Sequence, residues 1–290
     1  MKQDTRITNA KQEVREVKQE ARSTATSHWV VLLAKLGYIV NGIVYIIIGG
    51  LAAQLAIGHG GSTTDQRGAL RTIYEQPFGK VMLAIVAIGL LGYALWSFVQ
   101  AIFDTEGQGR ETKGIMARIG YAVTGISYVL LSYGAFQLVL GTGNGGNSST
   151  TTTQNGTASL LQAPFGVALV VVLGLAVIGL AGLFFYKAYS VNFRRHFSLN
   201  TMTPQWRKWA MLSGRLGYAA LGVDFLLVGI FLVVAALQHD PHKAQGLDGA
   251  LQTLLQQPFG PVLLAIVALG FIAYGIFSFV EARYRRMGRG

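Results

Sequence analysis

The sequence predicts an all-α integral membrane protein: six transmembrane helices as three parallel two-helix repeats, a pseudo-threefold bundle with short interfacial helices in the outer loops. Three observations lead there. Six stretches are apolar over a membrane-spanning length, basic residues crowd the loops of one side, and one glycine–tyrosine motif recurs three times.

Composition sets the class. Of 290 residues, 51% are hydrophobic and only 13% charged, against roughly 25% charged in soluble domains. Glycine, with 37 residues, is well above its average usage of roughly 7%, as suits helices whose backbones approach closely inside lipid. The lack of cysteine excludes disulfides, thiolate metal sites and cysteine nucleophiles. A formal charge of +11 would suit nucleic acid, but the basic residues flank apolar spans as topology determinants do, so no nucleic-acid partner is expected.

Residues 1–29 form a charged segment in which Lys11, Glu13, Arg15, Glu16, Lys18 and Glu20 interleave, the pattern of a solvated face. The apolar run that follows is too long for a signal-peptide core and is expected to remain as an anchor. Repeat 1 (30–103) holds spans at 30–57 and 81–103, repeat 2 (104–190) spans at 119–140 and 167–186, and repeat 3 (215–281) spans at 216–237 and 262–280. Each is long enough for roughly 30 Å of hydrocarbon.

Within repeat 2 the outer loop 141–158 is uncharged and rich in Gly, Ser, Thr and Asn, a composition that predicts a flexible external linker. Its sequons at Asn147 and Asn155 are given no role. A basic loop (191–214) connects repeats 2 and 3; there Trp206 and Trp209 follow Thr203-Pro204, with Arg207 and Lys208 placed for anionic head groups. A basic tail (282–290) closes the chain. Twenty Lys and Arg fall on the side of the termini and four on the other, which places both termini in the cytoplasm.

The repeat is explicit. Each first helix opens with a basic residue and the same spacing: Lys35, Gly37, Tyr38 and Gly42; Arg118, Gly120, Tyr121 and Gly125; Arg215, Gly217, Tyr218 and Gly222. A small residue follows seven positions on, at Gly49, Ser132 and Gly229, hence on the face of the second glycine. These glycines are expected to be helix-packing positions. The outer loops repeat as well: GALRTIYEQPFG at 68–79 matches GALQTLLQQPFG at 249–260, with a degraded middle copy, SLLQAPFG, at 159–166. Apolar residues at i, i+3 and i+4 (Leu70, Ile73, Tyr74 and Leu251, Leu254, Leu255) describe short amphipathic helices that proline ends. The second helices share GLLGY, GLAGL and GFIAY from residues 89, 179 and 270, the middle block standing three residues further from its proline.

This triplicated pattern, paired with Gln-Pro-Phe-Gly, resembles the bacterial family catalogued as domain of unknown function 1206, over about residues 35–283. The resemblance implies three repeats of two membrane helices in a bacterial inner membrane and no assigned activity.

Candidate chemistry is sparse. Asp224 is the one acidic residue well inside a span, near the midplane, and intramembrane ionisable residues are functional-site candidates. Its equivalents are Val44 and Ser127, and one position before the second glycines stand Asn41, Thr124 and Leu221. Asp224, Asn41, Thr124 and Ser127 are therefore the candidate intramembrane polar site, open to two readings: interhelical hydrogen bonding or an ion, proton or solute site. No nucleophile with its base is recognisable, and no metal-ligand set or cofactor motif is present, so a non-enzymatic protein is expected. Its expected partners are the bilayer, its anionic head groups, and a second copy or another membrane protein.

Overall fold

The computed structural model describes residues 28–103, 112–142, 148–190 and 202–285. Most of the N-terminal segment, Asn147, Arg194 and the end of the basic tail lie outside them. Six long helices, α1 (His28–Ala56), α3 (Gly79–Phe103), α4 (Thr112–Leu140), α6 (Gly166–Ser190), α7 (Pro204–Gln238) and α9 (Gly260–Tyr284), alternate with three short ones. These are α2 (Gln66–Tyr74), α5 (Ser149–Leu161) and α8 (Leu247–Leu255), one between the two long helices of each repeat. Each long helix is apolar and long enough to cross a membrane; the chain is a multi-pass membrane protein built from three repeats. Helix α7 begins at Pro204, a favourable first-turn position, and runs unbroken for 35 residues, so the Trp206–Trp209 segment and the fifth span are one helix.

The long helices form an open ring in the order α4, α3, α1, α9, α7, α6, in which α9 packs on α1. Five of the six neighbouring pairs are packed. The sixth, α4 with α6, is not, so the pseudo-threefold bundle has a seam within its middle repeat.

The contacts between repeats obey one rule. Where a Cβ would stand on Gly42, Gly125 and Gly222, the nearest side chains are Phe279, Phe98 and Phe185, at 3.1, 2.9 and 2.9 Å. Each phenylalanine lies 21 residues after the proline of its own repeat. Seven residues further along the first helices, a Cβ on Gly49 would meet the Ala268 carbonyl at 2.6 Å, one on Gly229 would meet the Gly174 carbonyl at 3.0 Å, and Ser132 Oγ donates to the Ala87 carbonyl at 2.8 Å. These partners again share one distance from their prolines, so the repeats align on Pro-Phe-Gly and not on the GLLGY-like block. Gly179 is thus the counterpart of Gly92, and the GLAGL match is coincidental.

The basic residue of the motif has a structural use as well. Arg118 donates to the carbonyls of Ala101 (2.6 Å) and Ile102 (3.0 Å), and Arg215 to those of Ala188 (3.2 Å) and Tyr189 (3.3 Å). Each guanidinium covers the unpaired carbonyl end of the preceding repeat's second helix, where a cation is favoured.

The uncharged loop of repeat 2 is not a linker over its whole length: Ser149–Leu161 is helix α5. Its sequence has little apolar periodicity, and its start is fixed from outside. Asp65 Oδ2 accepts from the Ser149 amide (2.6 Å) while Asp65 Oδ1 caps its own helix α2 at Gly68 (2.8 Å). Asp248 Oδ1 accepts from the Thr150 amide (3.0 Å) and from the hydroxyls of Ser149 and Thr150 (both 2.7 Å). Burial would raise the Asp248 carboxyl, but the hydroxyls of Ser149, Thr150 and Ser148 and the Thr150 amide outweigh it and hold the group below the usual carboxylate range. Arg67 adds a bond to Thr152 (2.7 Å). The outer segments of all three repeats are thereby tied into one cap over the ring.

Candidate functional site

The interior of the ring is aromatic and polar. Asn41 of α1, about 1% exposed, donates from Nδ2 to Ser278 Oγ of α9 (3.3 Å) and accepts at Oδ1 from the Tyr128 hydroxyl of α4 (2.5 Å). One side chain from each repeat meets there. Around this knot stand two tyrosine arrays: Tyr38, Tyr93 and Tyr128, with ring centroids 4.9 and 4.5 Å apart, and Tyr45, Tyr274 and Tyr218, 4.8 and 5.8 Å apart. Phe184 of α6 continues the second array to Phe225 of α7 at 5.1 Å.

The four candidate polar residues do not gather into one site. Asn41 is central. Asp224 is buried on α7, two turns beyond Gly217 on the face that meets α9, and its Oδ1 has no hydrogen-bond partner among the described residues. Thr124 is half-buried and donates to the Gly120 carbonyl of its own helix (2.8 Å). Ser127 is exposed and likewise turns back to Val123 O (3.0 Å), so it is no part of an interior site. The seam explains the difference: Val44, Ser127 and Asp224 all face the second helix of their own repeat, and only in repeat 2 is that helix absent from the contact.

The packing glycines divide on the same line. A Cβ on Gly37 would lie 2.6 Å from the Tyr93 backbone, and one on Gly217 2.6 Å from that of Tyr274. Gly120, the third of the set, would meet no described residue within 4 Å, so within the chain the expected packing role is unfilled at this position. Gly134 on α4, and Gly179 and Gly182 on α6, are equally open. Gly120, Ser127 and Gly134, spaced by seven, place a small residue at every second turn of α4, and a Cβ on either glycine would meet no described residue within 4 Å.

Sequence reasoning placed the tyrosines in the repeat motif but gave them no part in the site. Their recurrence at fixed positions (Tyr38 and Tyr218, Tyr45 and Tyr128, Tyr93 and Tyr274) was the available signal. Ser278 was likewise missed, although Ser97 occupies the same place in repeat 1.

The family profile described as Domain of Unknown Function (DUF1206) matches this sequence three times, at residues 36–104, 119–190 and 216–285. A protein named "Uncharacterized protein YxxB", from Bacillus subtilis (strain 168), is 36% identical over 271 residues, 93% of this chain and 95% of its own length. No solved structure matches. The three matched segments coincide with the three helix pairs of the ring, and the chain belongs to the DUF1206 family.

Proposed function

We propose that this chain is a non-enzymatic protein of the bacterial inner membrane, with both termini in the cytoplasm, that works by docking membrane helices at the α4–α6 seam. The observation that carries the reading is the open Gly120 on α4, whose counterparts Gly37 and Gly217 are closed by α3 and α9. The occupant is a second copy of the chain. Helix α4 of one copy against α6 of the other would restore the missing contact, and a twofold axis along the membrane normal would do so twice while keeping both copies in one orientation. Small residues favour such close packing in lipid.

In the cysteine-free background, Gly120→Cys paired with Leu180→Cys, the counterparts of the contacting Gly37 and Tyr93, should cross-link between copies in native membranes, and Gly134→Leu should yield a folded monomer. A chain that is monomeric at all concentrations in bilayers would end the docking reading. Orientation is tested separately: a cysteine at Asn147 should react with an impermeant thiol reagent on spheroplasts, and one at Arg194 should not.

A second reading, conduction of a proton, ion or small solute, is favoured by one observation. The open Oδ1 of Asp224 at the midplane offers a lone pair to a proton, a cation or a donor group. Proteoliposome flux that vanishes in Asp224→Asn would establish it.

A further inference from the structure

The turn that starts each second helix is built against local preference, identically in all three repeats. Phe78, Phe165 and Phe259 have φ of 62°, 61° and 60°, the left-handed region that glycine or asparagine occupies at little cost and a phenylalanine does not. Each holds the residue position just before its helix: the Phe78, Phe165 and Phe259 carbonyls accept from Met82, Leu169 and Leu263 amides, all at 3.1 Å. Serine, threonine, asparagine or aspartate is preferred there because the side chain can accept a bond, and a phenyl ring cannot.

The glycine that follows is required for a separate reason, since a Cβ on Gly79, Gly166 or Gly260 would fall about 2 Å from a carbonyl of the preceding short helix. No comparable contact explains the phenylalanines. Phe78, Phe165 and Phe259 are 86%, 87% and 82% exposed, so none of the rings is covered by the described residues. A local rule broken three times, with no return among the described residues, marks a function outside them.

We propose that the three rings are wedges that enter the hydrocarbon edge of the leaflet on the side of the short helices. Position identifies the partner as lipid: each ring sits where a short helix lying across the end of the bundle gives way to an apolar span, beside the exposed Val81 and Met82 in repeat 1 and Val262 in repeat 3. Tryptophan and tyrosine, with a polar handle, mark the head-group level; phenylalanine has none and belongs on the apolar side of that boundary. One wedge per repeat gives three points, enough to fix both the depth and the tilt of the ring.

The chain lacks cysteine, so single spin labels can be placed without background. Labels at Phe78→Cys, Phe165→Cys and Phe259→Cys, in phosphatidylcholine vesicles, should collide with oxygen at least several-fold more than with a water-soluble nickel chelate. All three should report one depth. A label at Arg71→Cys, on the exposed side of α2, should favour the chelate. If the three labels match Arg71→Cys, or are shielded from both reagents, the wedge assignment is wrong. Should a cysteine variant fold poorly, the Phe→Trp variants in vesicles with acyl-chain bromines keep the test open: quenching at a shared depth supports the wedge, and emission quenched only by aqueous iodide overturns it.

Discussion

Ser132 Oγ stands 2.8 Å from the Ala87 carbonyl, at the place where Gly49 and Gly229 bring their backbones against the carbonyls of Ala268 and Gly174. Three contacts between repeats thus share one geometry with two chemistries, close approach in two and a hydrogen bond in the third. Ser132→Ala should lower stability by about 0.6 kcal/mol, the usual worth of an interhelical bond in a membrane, as measured by unfolding in mixed micelles. Ser132→Leu should cost several times more.

The glycines provide a contrast within one motif. Gly217→Leu drives a branched side chain into the Tyr274 backbone and should lower stability by at least about 1–3 kcal/mol. Gly134→Leu, with nothing within 4 Å, should leave the thermal midpoint of the monomer unchanged. Equal losses in both would mean that the α4–α6 seam is closed in the membrane.

Removal of the guanidinium in Arg215→Met exposes the Ala188 and Tyr189 carbonyls at the end of α6. The expected loss is roughly 0.3–1 kcal/mol, and amide exchange should accelerate in the last turn of α6 while α9 is unaffected.

Asp248 gives the cap a dependence on acid. Its folded carboxyl is held below the ordinary range, so its contribution is complete above the unfolded value near pH 4, about 3.9 in model peptides, and is lost as pH falls through the lower folded value. Exchange protection at the start of α5 should therefore fall below about pH 4. Asp248→Asn should show weak protection at neutral pH and little further change on acidification.

Asp224 separates the two functional readings. Asp224→Asn keeps the shape and a hydrogen-bonding end, so stability should remain close to that of the parent. Asp224→Leu should lose about 0.6–2 kcal/mol if the carboxyl bonds a neighbouring helix. A flux that survives both variants would remove Asp224 from any conduction path.

The spans and the glycine spacing were legible because both are periodic and local: Gly42, Gly125 and Gly222 announce a shared face whatever they touch. Helix α5 was not legible, since its start is held by Asp65 and Asp248, 84 and 98 residues away in sequence. The true register of α6 was hidden for another reason. GLAGL imitates GLLGY, and only the partners Phe185 and Gly174 reveal that the proline sets the alignment. Ser127 was a candidate because it stands at the position equivalent to Asp224; a broken contact between two helices leaves no trace in the spacing of either. The Asn41–Tyr128–Ser278 knot joins three repeats and required the ring itself.

The packing of α9 against α1 has a consequence for how the protein is made. During synthesis α1 enters the membrane with Gly42 and Gly49 bare, and their partners Phe279 and Ala268 are more than 200 residues behind it. Until α9 is inserted, the first helix has half of its neighbours and an adhesive face open to other nascent chains. Chains truncated before Gly260 should therefore keep that face open and be less stably folded than the full chain.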